Sequence, residues 1–163
     1  MTKSLVVFYS FDGNTKFIAH TIAKQVGADV LELKTKEDNV PKDFTKHFWG
    51  GKMVVMKEKP ALVKFDKNPA DYDVIFLGTP VWAFNYSPPF RTFFSKVEIR
   101  DKKVALFCCS GGMRGSTFEN MKRSLGFNDY IGEIEFKDPL KDGENSQTKA
   151  KWWIRSMKLK KKF

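Results

Sequence analysis

The stretch LFCCSGGMRG, residues 106–115, pairs a nucleophile with an anion grip. Cys108 and Arg114 are separated by five residues, with Gly111 between them, and the run leads out of an apolar segment. That is the spacing of a phosphatase loop, in which a thiolate attacks phosphorus and a guanidinium holds the oxygens. Such a loop usually carries Ser or Thr directly after the arginine to assist the thiol, and Gly115 stands there. It also needs an acid for the leaving group, and no residue presents itself as one. Cys108 follows VALF, so it also reads as a strand residue packing as a small hydrophobe. A Cys-x5-Arg phosphatase using Cys108 and Arg114 is the alternative chemistry of this chain.

Two further stretches bear on the choice. SFDGNT (10–15) leaves an apolar run and opens a helical pattern. Backbone N–H groups at a helix start point at whatever binds there, and the helix dipole favours an anion. Ser10, Asn14 and Thr15 add neutral donors, and Gly13 lets the backbone come close. The lysine of a nucleotide-triphosphate loop is missing, so the stretch suits one phosphate monoester. An ordinary strand-to-helix turn capped by Asp12 or Asn14 is the plainer reading. TPVWAFNYSPP (79–89) holds three aromatics, Trp82, Phe84 and Tyr86, in a segment bounded by prolines. Loops normally avoid so much apolar surface, so these rings form either a wall for a flat ligand or a cover for the end of a sheet.

The elements that must position these stretches are legible as a pattern. SLVVFY (4–9), DVLELK (29–34), YDVIFLGTP (72–80), KKVALFCCS (102–110) and YIGEIEF (130–136) read as strands, several of them continuous apolar runs of the buried parallel kind. Helices are expected at 13–26, with Phe17, Ile18, Thr21, Ile22 and Val26 at helical spacing, and at 87–97, with Phe90, Phe93, Phe94 and Val97 on one face. A third at 116–125 starts with a capping-box pattern, Ser116 and Glu119, and a last one runs from about 146 to 160 with Ala150, Trp153, Ile154 and Met157 inward. Residues 35–70 are irregular, punctuated by Pro41, Gly50, Gly51, Pro60 and Pro69. Five strands alternating with helices predict a single α/β domain over 1–163, a three-layer doubly wound parallel sheet. Ligands bind such sheets beyond the carboxyl ends of the strands, where the three stretches lie.

Composition narrows the function classes. The chain has 163 residues, enough for one well-filled core. Its apolar runs are too short for a signal peptide or a spanning helix, which places it in the cytoplasm by expectation. The two cysteines are adjacent, a poor arrangement for a structural disulfide. A net charge of +10 admits nucleic acid, an anionic membrane or an acidic partner, or simply a solvated lysine surface. No zinc-ligand spacing, helix-turn-helix signature or stacking motif supports nucleic acid. A phosphorylation receiver would need acids where Tyr9-Ser10 and Thr79-Pro80 stand, so that reading falls. His20 and His47 read as structural or exposed.

Taken together, SFDGNT after the first strand, GTPVWAFNYSPP after the third and CCSGGMRGSTFENM after the fourth make the chain resemble the flavodoxin-like FMN proteins, from Leu5 to about Trp153. The strand order 2-1-3-4-5 with FMN at the switch point, of which flavodoxin is itself the standard illustration, comes from that resemblance and not from the pattern. The resemblance implies that Ser10, Asp12, Gly13, Asn14 and Thr15 border the FMN phosphate. It implies that Pro80, Val81, Trp82, Ala83, Phe84 and Asn85 border the isoalloxazine ring, and that Ser110, Gly111 and Gly112 face it from the third loop. One position departs: family members usually carry Thr or Ser where this chain has Asp12. A desolvated carboxylate beside a phosphate dianion would repel it by a few kcal/mol at an effective dielectric of about 20, unless it turns away to cap local N–H groups.

The implied role is redox: an electron carrier, or a reductase of quinone-type small molecules. Partners would be a redox protein or a small electron acceptor. Electron-carrying flavodoxins are acidic, so a charge of +10 suggests acidic partners or a different job. Arg114 beside the ring would favour its reduced, anionic form and raise its potential; a solvated helix-start residue is the rival account. KHFWGGKMVVMKEKP (46–60) either reaches the substrate side of the flavin or covers a face of the sheet, with cover preferred. The basic tail carries an apolar stripe, Trp152, Leu159 and Phe163, that offers a dimer or membrane contact, against a frayed end as the plainer account. Monomer and homodimer both remain open.

Overall fold

The computed structural model describes residues 1–37, 46–157 and 159, with the side chains of 46–50 excluded. Five parallel strands form the sheet: β1 (Ser4–Phe8), β2 (Asp29–Glu32), β3 (Val74–Trp82), β5 (Lys103–Ser110) and β6 (Asp129–Lys137). Their order is β2-β1-β3-β5-β6, while a two-residue strand β4 (Asn85–Tyr86) pairs only with β3. Setting β4 aside, this is the expected 2-1-3-4-5 order. The helices are α1 (Asn14–Val26), α2 (Lys46–Val55), α3 (Pro88–Lys96), α4 (Thr117–Leu125) and α5 (Gly143–Ser156).

Strand alternation divides the core. In β1, Leu5 and Val7 point to one face and join Ile75, Leu77, Phe90, Phe93, Phe118 and Met121, the inward residues of β3, α3 and α4. Val6 and Phe8 point to the other face and meet Ile18 and Ile22 of α1 with Ala150, Trp153 and Ile154 of α5. Residues 5–8 are fully buried because helices cover both faces, which is why the run reads as unbroken apolar sequence. At full burial each large side chain contributes about 1.5–3 kcal/mol of hydrophobic stabilisation.

The register sets the loops side by side. Phe8 pairs with Gly78, Gly78 with Phe107, Pro80 with Cys109 and Ser110 with Lys137. The carboxyl ends of β1, β3, β5 and β6 therefore share one edge. Several expectations change in detail. Ser116 makes no side-chain cap bond, so the capping box with Glu119 does not form; its N–H instead donates to Phe84 O at 3.0 Å. Segment 46–60 contains a helix, α2, which buries Met53 and Val54 and brings Gly51 up to Ala83. The last helix starts earlier, at Gly143, and ends at Ser156. Beyond it Leu159 packs on the core with Met157, away from exposed Trp152, so these two do not share an outward stripe. Phe163 and the side chain of His47 lie outside the described residues.

Candidate functional site

The loop after β1 holds its own helix start. Gly13, at φ 95°, is the N-cap residue, a conformation open to glycine at little cost. The first amides of α1 have no partners inside the helix. Asn14 N donates to Asp12 Oδ1 at 3.1 Å and Lys16 N to Ser10 Oγ at 3.1 Å. Asp12 thus caps a local N–H group. Thr15 is fully buried, and its Oγ1 has no oxygen or nitrogen hydrogen-bond partner among the described residues. The Cys109 sulfur lies beside it, a weaker acceptor than an oxygen. A buried hydroxyl without a partner costs about 1–3 kcal/mol.

The stretch after β3 is a hairpin. Val81 pairs with Tyr86 and Trp82 with Asn85, leaving Ala83 and Phe84 as a two-residue turn at φ 48° and 61°. Positive φ at both central residues is what a right-twisted hairpin requires. At non-glycine residues it costs about 1–3 kcal/mol each. Its base is tied by Thr79, whose Oγ1 donates to Pro80 O at 2.8 Å and accepts from Ser87 N at 3.0 Å. Its tip rests on the loop after β5: a Cβ at Gly115 (φ 55°) would stand 2.3 Å from Phe84 Cβ. Trp82 meets the edges of Tyr9 and Phe11, with ring centroids 5.9 and 5.8 Å apart.

The loop after β5 supplies Ser110, a buried residue whose hydroxyl donates to Glu135 Oε1 at 2.6 Å. A fourth loop, 138–142, follows β6. Asp138 N donates to Ser110 O at 2.9 Å, and Leu140 N donates to Asn14 Oδ1 at 3.1 Å. These loops enclose a cleft of about 500 Å³, lined by Asp12, Asn14, Pro80–Ala83, Ser110, Gly111 and also Phe11, Cys109, Asp138 and Lys141. Lys141 pairs with Asp138 at 3.1 Å. Ser10, Gly13 and Thr15 sit behind the lining at the helix start, Asn85 accepts from Tyr86 N at the hairpin base, and Phe84 is exposed at its tip. Gly112 is exposed outside the lining.

Phe11, Cys109, Asp138 and Lys141 were missed from sequence. The rule that placed three loops at the carboxyl edge applies equally to the strand ending at 137, and would have found the fourth.

The phosphatase pair does not assemble. Cys108 is fully buried in the core, and burial, with the Glu135 charge, pushes its thiol far up. The Arg114 guanidinium lies over the Phe118 ring, 5.1 Å from its centroid, outside the cleft lining. Gly115 is required by contact with Phe84, which accounts for the missing Ser or Thr. Cys109 points to the opposite face, and burial pushes its thiol up to about 12.

A parallel five-stranded sheet with an anion-directed helix start and an aromatic hairpin at its carboxyl edge defines an α/β protein with a switch-point ligand cleft. The sequence profile described as Flavodoxin matches residues 3–157, and the chain belongs to the flavodoxin family. Its fold is shared by a putative flavoprotein from Bacteroides eggerthii DSM 20697, at TM-score 0.78 and 23% identity, covering 98% of this chain and 100% of that one. It is also shared by a flavoprotein in complex with FMN from Lactobacillus acidophilus NCFM, at TM-score 0.72 and 21% identity, covering 88% and 98%. A flavodoxin from the domain Archaea matches at TM-score 0.57 and 19% identity, over 96% and 99%.

Proposed function

We propose that this chain binds FMN in the cleft at the carboxyl edge of its sheet and serves in electron transfer. The observation that carries the reading is the Thr15 hydroxyl, buried at the helix start with no oxygen or nitrogen partner among the described residues and only the weakly accepting Cys109 sulfur beside it. A phosphate monoester supplies what that hydroxyl lacks, at the end of a helix that favours negative charge. Gly13 and Asn14 would complete the cradle with Ser10. The Trp82 hairpin would border one side of the ring, and Ser110 and Gly111 another. The FMN held by the Lactobacillus acidophilus flavoprotein supports the same ligand.

When bound, the flavin supplies the redox chemistry, and the chain orients it and sets its surroundings. The described cleft carries no buried acid–base pair, so the side chains bind and position. A net charge of +10 favours an acidic redox protein as partner, with a small acceptor of the quinone type as the other candidate. Titration of the apoprotein with FMN, followed by flavin fluorescence and absorbance, tests the ligand. Bound flavin bands are expected, and Thr15→Val should weaken binding about tenfold while leaving thermal stability unchanged or higher. A protein that takes up no flavin overturns the reading.

A further inference from the structure

This inference rests on the FMN reading. At the start of α1, a carboxylate already does for the helix what a phosphate would do. Asp12 Oδ1 takes the Asn14 amide at 3.1 Å, and Ser10 Oγ takes the Lys16 amide at 3.1 Å. Asp12 also lines the cleft. Among the described residues it forms no ion pair: Lys16 pairs with Glu32 at 3.5 Å, and Lys141, which lines the same cleft, pairs with Asp138 at 3.1 Å.

We propose that Asp12 is a specificity-determining residue, an internal rival that makes the cleft discriminate weakly between FMN and dephosphorylated flavin. An arriving phosphate finds an amide already engaged and a like charge beside it. Either the carboxylate swings away and the helix loses a cap, or it stays and repels. A riboflavin ring meets neither cost. The hydroxyl of Thr15 still favours the phosphate, so FMN binds, but as an exchangeable ligand instead of a permanently held group.

The test titrates apoprotein with FMN and with riboflavin, in wild type and Asp12→Asn. Asparagine keeps an oxygen for the Asn14 amide and removes the charge. Wild type should bind the two flavins within about tenfold of each other. Asp12→Asn should tighten FMN about tenfold, leave riboflavin within about twofold, and retain FMN through desalting. Asp12→Thr repeats the comparison should the asparagine variant fail to fold. An FMN affinity that the variants leave within about twofold, an equal change for both flavins, or a wild-type preference for FMN above about a hundredfold overturns the proposal while leaving FMN binding intact. If no variant binds either flavin, the FMN reading falls and this proposal falls with it.

Discussion

Two loops leave the same sheet edge, one after β1 and one after β5, and both carry groups able to grip a phosphate. After β1, Asn14 lines the cleft beside the rival carboxylate of Asp12, and behind them Thr15 keeps a buried hydroxyl with no oxygen or nitrogen partner among the described residues. After β5, the groups are spent on the fold. Cys108 faces the core, Arg114 lies on Phe118, and Gly115 wedges under Phe84. The difference comes from strand parity and covering. Cys108 is on the side of β5 that α4 covers. Arg114 and Gly115, past the strand end, are taken up by Phe118 and Phe84, whereas Asp12 and Asn14 at the start of α1 keep an open side.

The sharpest way to break this comparison is to complete the phosphatase motif. Gly115→Ser puts Ser after Arg114, but its Cβ meets Phe84 Cβ at 2.3 Å and Phe84 O at 2.7 Å, at φ 55°. It should cost about 3 kcal/mol or more and lower Tm by about 10 °C, with no hydrolysis of p-nitrophenyl phosphate. Retained stability with new hydrolysis would restore the rival chemistry.

A smaller effect is expected at the thiols. Burial keeps Cys109 protonated up to about 12, against an ordinary value of 9.0. Below pH 9 the folded and unfolded thiols are both protonated. As pH rises the unfolded chain releases its proton first, so stability falls from about pH 9 towards 12. Denaturation midpoints across that window should decline less in Cys109→Ala. Iodoacetamide at pH 8.5 should modify neither cysteine until the protein unfolds. Rapid labelling of Cys108 in the native state would contradict its burial.

The smallest effect should follow Arg114→Ala. The guanidinium over Phe118 contributes about 0.5–1 kcal/mol. FMN affinity should stay within about twofold and the midpoint potential should match wild type. A shifted potential would return Arg114 to the flavin.

Strands and inward faces were legible because burial on both sides forces continuous apolar runs: residues 4–8, 74–80 and 103–110 could be little else. The helix faces of Phe90, Phe93, Phe118, Met121, Trp153 and Ile154 followed from helical spacing. Other features lacked a local signature. The turn at Ala83-Phe84 holds positive φ without the glycine or asparagine that normally announces it. Helix α2 is disguised by Gly50 and Gly51, both poor helix formers. Ser116 and Glu119 spell a capping box, yet Phe84 O claims the Ser116 amide across the loop. In the site, Thr15 was readable as a donor, but its isolation was not, since that depends on what does not reach it.

The bond from Leu140 N to Asn14 Oδ1 joins positions 126 residues apart. Asp138 and Lys141, which complete the cleft, come from the same late stretch. During synthesis the helix start therefore emerges well before the loop that forms its far wall. The cleft is thus closed late in the order of the chain, by the last loop of the sheet laid over the first.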